Sequence, residues 1–243
     1  MMTSKKLYTI SYPYASMSYE ESLEKLSSLV LRTDKDSIVL APEYVVGGYD
    51  YEKLQSAYEF TCKEKKTILE FSKDRVLSLS VIEKLNGSFY NCAKIYKDGK
   101  EIYSRAKHKL FLFGGEDKYF DRGSQEDIKI VEIDGIKIAI LICFELRFID
   151  LWQRVRGADL ILIPAYWGKE RREHLQTLSK ALAIANQCFV MVANSKDDDM
   201  AGASSITDPF GLRIEDDSQD ILNSDFDKRV IKKMRRYMNV GIK

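Results

Sequence analysis

Apolar and polar residues are spaced along the chain in patterns that predict strands and helices in turn. In the first part, apolar residues at every second position indicate a strand, and Leu23, Leu26 and Val30 have helical spacing. The predicted elements are a strand over 7–12, a helix over 18–32, a short strand over 37–41 and a helical segment over about 51–73. This order is typical of layered α/β proteins.

The period then changes to two, which predicts a series of hairpins. The expected strands cover residues 76–83, 89–96, 101–105 and 128–133. Tight turns are expected at Asn86-Gly87, Asp98-Gly99 and Asp134-Gly135. Asn-Gly and Asp-Gly favour such turns because both residues tolerate the positive φ angles that tight turns require.

The second half again alternates strand and helix. The run 136–147, IKIAILICFELR, is predicted as an almost wholly apolar strand that ends at Cys143. Further strands are expected over 159–163, 189–193 and 204–207. The helix between them, over about 171–187, has a predicted apolar stripe of Leu175, Leu178, Leu182, Ala185 and Cys188. Both halves together predict two sheets packed on each other with helices outside, in a single domain over residues 1–243.

Composition limits the classes of partner. The 243 residues are 45% hydrophobic, and 38 basic residues balance 37 acidic ones to a net charge of +1. Neither nucleic acid nor a membrane surface is therefore expected as the main partner. The basic stretch 228–236 contains apolar residues at intervals and is interpreted as a solvated helix face.

Cysteine and histidine usage points to reduced thiols and to a base other than histidine. The four cysteines, Cys62, Cys92, Cys143 and Cys188, are far apart, so no zinc knuckle or redox pair is expected. The N-terminal residues lack an apolar signal core and no run reaches membrane-spanning length, which favours a cytoplasmic protein. There are only two histidines, whereas most thiol hydrolases use one as the base.

Several reactive side chains follow apolar strands and can meet at one sheet edge. Glu43 and Cys143 each end an apolar run, and a third run ends near Trp167. The segment SRAKHKLFLFGGE adds candidate residues Lys107, Lys109 and Glu116. These residues can form a thiol site without histidine.

The chemistry of such a site is acyl transfer through a thioester. The thiolate is the nucleophile, and a partly desolvated Glu43 can take the thiol proton and later give it to the leaving amine. A lysine ammonium favours the thiolate and stabilises the oxyanion of a tetrahedral intermediate. The backbone N–H of Phe144 can supply a second oxyanion donor, and Glu116 can position the lysine.

An ordered set of motifs resembles the nitrilase-like carbon–nitrogen hydrolase superfamily. The matching segments before the thiol are Pro42-Glu43 with Gly48-Tyr49, Phe89-Tyr90-Asn91, Asp98-Gly99, Lys107-His108-Lys109-Leu110-Phe111 and Phe113-Gly114-Gly115-Glu116. They are followed by Ile142-Cys143-Phe144-Glu145-Leu146-Arg147-Phe148, Gly157-Ala158-Asp159-Leu160, Pro164-Ala165, Trp167 and Ala183-Ile184-Ala185-Asn186-Gln187. The resemblance covers the chain from about Leu7 to the turn at Pro209-Phe210-Gly211.

The resemblance implies a four-layer αββα sandwich with a Glu-Lys-Cys triad of Glu43, Lys107 and Cys143. It implies no cofactor or metal, and a homodimer or larger assembly. Two departures stand out. Lys109 occupies a position where the family commonly has histidine, so its share in the role of Lys107 is open. Leu182 and Ala185 replace the family's usual Arg and Glu.

The expected function is hydrolysis of a small amide, with a carboxylate-bearing, omega-amidase-like substrate favoured. N-carbamoyl-amine hydrolase and nitrilase activities are alternatives, and a catalytically silent scaffold is the alternative from another class. Arg147 either holds a substrate carboxylate or pairs with Glu145 or Asp150. The candidate lining residues of the acyl pocket are Tyr49, Tyr166 and Trp167.

Overall fold

The computed structural model describes residues 5–242, so residues 1–4 and 243 of the predicted domain lie outside it. The described strands are β1 (Lys5–Ile10), β2 (Ile38–Leu40), β3 (Val76–Leu85), β4 (Ser88–Lys97), β5 (Lys100–Ala106), β6 (Val131–Ile133), β7 (Ile136–Ile140), β8 (Leu160–Pro164), β9 (Phe189–Ala193), β10 (Ser205–Thr207), β11 (Arg213–Glu215) and β12 (Ile221–Phe226). The α-helices are α1 (Tyr19–Leu31), α2 (Leu54–Lys63), α3 (Lys65–Phe71), α4 (Ile149–Arg154), α5 (Arg172–Asn186) and α6 (Lys228–Tyr237).

The strands form two six-stranded sheets with parallel centres. The first has the order β12-β1-β2-β3-β4-β5 and the second has the order β11-β10-β9-β8-β7-β6. In the first sheet β1, β2 and β3 are parallel, and in the second β7, β8 and β9 are parallel. The other pairs are antiparallel. Parallel centres bring several strand carboxyl ends to one edge of each sheet, where loops can carry chemistry.

The two sheets pack face to face. The hydroxyl of Thr9 in β1 donates to the carbonyl of Val192 in β9 at 2.8 Å, and Ser11 donates to the carbonyl of Asn194 at 2.7 Å. Apolar side chains from both sheets share one core, which includes Leu40 of β2 and Ile161 of β8. These cross-sheet contacts give the inner two layers of the molecule.

Helices cover the outer faces and complete the αββα sandwich that the sequence predicted. Helix α1 begins at an N-cap in which the Ser18 hydroxyl accepts from the N–H of Glu21, while the Glu21 carboxylate accepts from the N–H of Ser18. The apolar face of α1, including Leu26, packs on the first sheet together with α2 and α3. Residues of α4 and α5 pack on the second sheet.

The predicted turns are present and their residues have the expected backbone angles. Asn86, Asp98 and Asp134 have φ angles of 51°, 50° and 51°. The predicted solvated helix over 228–236 is α6, whose Ile231 and Met234 are its buried residues.

Three predicted elements and one predicted helix face differ from the structure. The strand leading to Cys143 ends at Ile140, and the helical segment over 51–73 is divided at Glu64 after a short 3₁₀ turn. The strand over 128–133 starts only at Val131. In α5 the buried stripe is Leu175, Ser179, Leu182, Ala183 and Asn186, so the inclusion of Ala185 in the predicted stripe was wrong.

Candidate active site

Glu43 lies where the two sheets meet beyond the end of β2. Its backbone N–H donates to the carbonyl of Ala165, which follows β8 in the other sheet, at 3.3 Å. Its own carbonyl accepts a hydrogen bond from the buried hydroxyl of Tyr14. With 1% of its surface exposed, the carboxyl group is held inside the sandwich by contacts from both sheets.

Lys107 directly follows β5 and points into the same space. Its backbone N–H donates to the carbonyl of Asn91 in β4 at 2.8 Å. Its ammonium Nζ lies 2.9 Å from an oxygen, Oε1, of Glu43 and 2.9 Å from Oε1 of Glu116. The lysine is 2% exposed, so these two carboxyl groups are its ionic partners in a site that water barely reaches.

Glu116 is held by a loop that turns at Gly115, whose φ of 72° lies in the left-handed region that glycine favours. One carboxyl oxygen, Oε2, accepts the backbone N–H of Phe111 at 2.6 Å. The other, Oε1, accepts the hydroxyl of Tyr44 at 2.7 Å as well as the lysine. Every contact donates to this carboxyl group, which favours its ionised form.

Asn91 and Tyr44 connect the two carboxyl groups, and the sequence analysis assigned neither a role. The amide of Asn91 donates to Oε1 of Glu43 at 2.7 Å and to the Tyr44 hydroxyl at 2.9 Å. Its carbonyl oxygen Oδ1 is buried and has no hydrogen-bond partner within residues 5–242. The only signal for Asn91 in the sequence was its place in the Phe89-Tyr90-Asn91 motif.

Cys143 begins a 3₁₀ turn, Cys143–Arg147, rather than ending a strand. Its φ of 48° lies in the left-handed region, which a non-glycine residue occupies only when the surrounding structure holds it there. The thiol is buried, and the Glu43 carboxyl group and the backbone of Tyr166 are near enough to act on its pKa. The turn thus brings the sulfur to Glu43 instead of leaving it in the sheet.

The environment moves the pKa values of the two carboxyl groups in opposite directions. Burial, followed by the nearby charge of Glu116, raises the pKa of Glu43 despite the opposing effect of Lys107. Burial also acts to raise the pKa of Glu116, but Lys107, the Tyr44 hydroxyl and the Phe111 N–H together lower it below its usual range. Glu43 is thus suited to exchange a proton, whereas Glu116 stays ionised.

Cys143 and Lys107 are both held in their protonated forms. Burial and the charge of Glu43 raise the pKa of the Cys143 thiol well above its usual range. Burial acts to lower the pKa of Lys107, but Glu43 and Glu116 outweigh it and hold that pKa well above its usual range. The resting site therefore contains a neutral thiol beside a base, not a preformed thiolate.

A buried ion pair connects the end of β5, which precedes Lys107, to the 3₁₀ turn that begins at Cys143. Both terminal nitrogens of the Arg105 guanidinium bond to the Glu145 carboxylate, and one of them also donates to the carbonyl of Ile140 at 2.8 Å. The same carboxylate accepts the backbone N–H groups of His108 and Ile142, each at 2.7 Å. Glu145 is therefore structural. The sequence analysis gave Arg105 no role, although this residue occupies an inward-facing position of an alternating strand.

Lys109 does not share the environment of Lys107. Both residues lie beyond the end of β5, so the strand alternation that would point them the same way does not apply. Lys109 is partly exposed, lies 3.8 Å from the carboxylate of Asp150 and 4.9 Å from the ring centre of Phe148. These contacts anchor the loop outside the buried carboxyl cluster.

Arg147 pairs with neither of the acidic residues considered for it. Glu145 is taken by Arg105, and Asp150 lies near Lys109. The Arg147 guanidinium instead lies 4.6 Å from the ring centre of Trp167 and bonds the ring nitrogen Nδ1 of His174 at 3.0 Å. Of the two alternatives for Arg147, the ion pair with Glu145 or Asp150 does not form, because both acids have other partners.

Aromatic side chains border the thiol. Tyr49 stacks on Tyr166 with ring centres 4.4 Å apart, and its hydroxyl accepts that of Tyr51 at 2.5 Å. The charges of Glu43 and Cys143 act on Tyr49 and add to burial in raising its pKa. Phe144 packs against Phe111, with ring centres 5.2 Å apart, and its backbone N–H donates no hydrogen bond within the described chain.

The two departures from the resembled family lie on α5. Leu182 is buried in the core and Ala185 is exposed to solvent. They therefore bear on the packing and the outer surface of this helix.

The described residues contain neither a metal-binding cluster nor a membrane-spanning helix. Within residues 5–242, no cluster of three or more His, Cys, Asp or Glu side chains is placed to bind a metal ion. No helix in this part of the chain has the length and apolar character needed to cross a lipid bilayer.

Comparisons with known proteins agree with the fold and identify a family. A family model described as carbon-nitrogen hydrolase matches residues 11–235. A 2-oxoglutaramate amidase of Bacillus subtilis (strain 168) is 30% identical over 220 residues, covering 84% of each chain. The omega-amidase YafV of Yersinia enterocolitica is 26% identical over 223 residues, covering 86% of this chain and 84% of that protein. Among solved structures, XC1258 of Xanthomonas campestris, a CN-hydrolase superfamily protein with an arsenic adduct in its active site, matches with a TM-score of 0.84 at 21% identity, covering 98% of this chain and 96% of that one.

Proposed function

Because the chain belongs to the carbon–nitrogen hydrolase family, we propose that Cys143, Glu43 and Lys107 hydrolyse a small amide through a thioester. The observation that carries the proposal is the buried cluster in which the Lys107 ammonium bonds both Glu43 and Glu116, while the charge of Glu43 acts on the neighbouring Cys143 thiol. Nothing in this cluster favours the silent-scaffold alternative, since each group needed for amide hydrolysis is present and in contact.

Acylation begins with attack of the Cys143 sulfur on the amide carbon. As the S–C bond forms, the thiol proton passes to Glu43, whose raised pKa suits it to hold that proton. The carbonyl oxygen becomes an oxyanion, which the Lys107 ammonium and the free backbone N–H of Phe144 stabilise. Glu43 then protonates the nitrogen, the C–N bond breaks, and ammonia leaves a thioester on Cys143.

Deacylation uses the same groups, and Glu43 again accepts a proton and then gives it up. Glu43 takes a proton from a water molecule, whose oxygen attacks the thioester carbon. The S–C bond breaks, the proton returns to the Cys143 sulfur, and a carboxylic acid leaves. Glu116 stays ionised throughout and orients Lys107, because four hydrogen-bond donors converge on its carboxylate.

We propose that the preferred substrate carries a carboxylate of its own. The partly exposed guanidinium of Arg147 lies four residues after the nucleophile and has no acidic partner within residues 5–242. Relatives named 2-oxoglutaramate amidase and omega-amidase support an amide of this class. Tyr49, Tyr166 and Trp167 are the proposed walls of the acyl pocket, since Tyr49 lies within electrostatic reach of the thiol and stacks on Tyr166, and Trp167 carries Arg147.

Ammonia release from a panel of compounds tests the proposal. The panel contains amides with and without a carboxylate, an N-carbamoyl amine and a nitrile, and each is given to the wild type and to Cys143→Ala. We expect release from amides by the wild type alone. Equal release by both proteins would overturn the thiol mechanism, silence across the panel would overturn hydrolase activity, and release only from the carbamoyl compound or the nitrile would replace the proposed substrate class.

We also propose that the whole chain is one hydrolase domain, that it forms a homodimer or larger assembly, and that it acts in the cytoplasm. The family match over 11–235 supports one domain. Exposed apolar side chains support self-association, namely Ile149 on α4, Ile184 on α5 and Leu212. All four cysteines are free, which fits a reducing compartment. Light scattering after gel filtration measures the assembly, and a monomer would contradict it.

A further inference from the structure

Two arginine side chains, each packed on an aromatic ring, lie close to one another. The guanidinium of Arg147 lies 4.6 Å from the ring centre of Trp167, and that of Arg171 lies 5.4 Å from the ring centre of Phe111. Burial and the positive charge of Arg171 lower the pKa of Arg147, while Cys143 acts to raise it. The two guanidinium groups therefore lie within electrostatic reach of one another, and that of Arg147 also lies within reach of the nucleophile.

No acidic residue within 5–242 forms an ion pair with either guanidinium. Within the described part of the chain, the ring of His174 is the only hydrogen-bond partner of the Arg147 side chain, and the side chain of Arg171 has no hydrogen bond or ion pair. The adjacent Arg172 differs, since it bonds carboxylates of Glu215 and Asp217 at 2.6 Å each. Two neighbouring cations repel each other unless an anion lies between them or beside both.

A third donor in the same cluster lacks an acceptor. The indole nitrogen Nε1 of Trp167, whose ring carries Arg147, is buried and has no hydrogen-bond partner in the described part of the chain. A buried N–H group without an acceptor is unfavourable and rare in folded proteins. Two guanidinium groups without a carboxylate partner and an indole N–H without an acceptor, all within residues 5–242, make a cluster that can take an anion.

The loop after β8 is built to bring Arg171 to this cluster. The backbone N–H of Arg171 donates to the carbonyl of Gly168 at 3.0 Å and closes a 3₁₀ turn. A Cβ atom on Gly168 would lie 2.9 Å from a terminal nitrogen of the Arg171 guanidinium. Glycine at this position therefore lets the arginine fold back towards the site.

We propose that Arg171 acts with Arg147 to bind the carboxylate at the end of the substrate remote from the scissile amide. The ligand class is a monoamide of a short dicarboxylic acid, because a planar guanidinium binds a carboxylate through two parallel hydrogen bonds. Stacking on Phe111 and Trp167 orients both planes before the ligand arrives, which reduces the entropy lost on binding. This inference rests on the proposed amide hydrolysis and adds a specificity residue to it.

Matched pairs of amides test Arg171. Succinamate and butyramide have the same number of carbons and differ in a carboxylate against a methyl group, as do glutaramate and pentanamide. The measured quantity is the ratio of kcat/KM for the charged member to that for the neutral member. We expect Arg171→Gln to lower this ratio about 10- to 100-fold, mainly through KM, with partial recovery in Arg171→Lys.

Lys169→Gln is the matched control, since Lys169 is an exposed cation on the same turn. An unchanged ratio in Arg171→Gln, or an equal fall in Lys169→Gln, would overturn the proposal. If the wild type hydrolyses no amide, the proposed function is wrong. The role of Arg171 in binding the carboxylate can then still be tested by a binding measurement. Calorimetric titration of Cys143→Ala with succinamate should then give a Kd about tenfold or more tighter than that of Cys143→Ala/Arg171→Gln, and equal Kd values would overturn the role of Arg171.

Discussion

Replacing Glu116 by Gln tests the division of roles between the two buried carboxyl groups. The charge of Glu116 is one cause of the raised pKa of Glu43, so its removal should lower that pKa. Oε1 atoms of both residues lie 2.9 Å from the Lys107 ammonium. At an effective dielectric constant of about 20, two charges about 6 Å apart repel by about 3 kcal/mol, which corresponds to about two pH units.

The assay is the pH dependence of kcat/KM for succinamate, followed by ammonia release. Glu43 must be ionised to accept the thiol proton, so activity falls as the pH drops through its pKa, and kcat/KM reports the free enzyme. In Glu116→Gln the acid limb should move to lower pH by about one to two units. The rate itself should fall about 10- to 100-fold, since Lys107 loses one charged partner.

Glu43→Gln is the comparison variant, because it removes the proposed base while keeping the shape of the side chain. Its kcat should fall about 10²- to 10⁴-fold, the usual contribution of a general base. An acid limb that stays in place or moves to higher pH in Glu116→Gln would refute the reasoning. A larger loss in Glu116→Gln than in Glu43→Gln would move the role of base to Glu116.

Two other perturbations follow from the contacts. Lys107→Ala should abolish thioester formation. Lys109→Ala loses only contacts near Asp150 and Phe148, so it should mainly change KM. Equal losses of kcat in the two variants would contradict this. Arg105→Met leaves the buried Glu145 carboxylate unpaired and should lower the free energy of unfolding in urea by about 3–5 kcal/mol, and a loss under about 1 kcal/mol would contradict it. Burial acts to raise the pKa of Glu145, but Arg105 lowers it below its usual range, so the stabilisation is present above the ordinary carboxyl pKa and fades as pH falls through the lowered value.

Elements defined by local residue preferences could be predicted from the sequence. The hairpin turns at Asn86, Asp98 and Asp134 depend on residues that tolerate positive φ, and all three adopt it. The backbone conformation of Cys143 could not be predicted in this way. Its apolar surroundings continue the strand pattern past Ile140, whereas the structure ends the strand there and gives the cysteine a positive φ.

The groups around the catalytic side chains depend on strand register, which spacing along the chain does not reveal. The pairing of Cys92 with Ala106 places Asn91 next to Lys107, and only this register lets the Asn91 amide reach Glu43. The pairing of Arg105 with Glu145 joins β5 of the first sheet to the 3₁₀ turn that follows β7 of the second. Each side chain was visible in the sequence, but its partner was not.

Mass spectrometry of a rapidly quenched reaction tests the central claim most directly. Wild type mixed with succinamate should show the mass of the acyl group on the peptide that contains Cys143, and Cys143→Ala should show neither the adduct nor ammonia release. Cys188 serves as an internal control, since it is buried in the core with a pKa raised to about 12, chiefly by burial. An adduct on another residue, or undiminished ammonia release by Cys143→Ala, would contradict a thioester at Cys143.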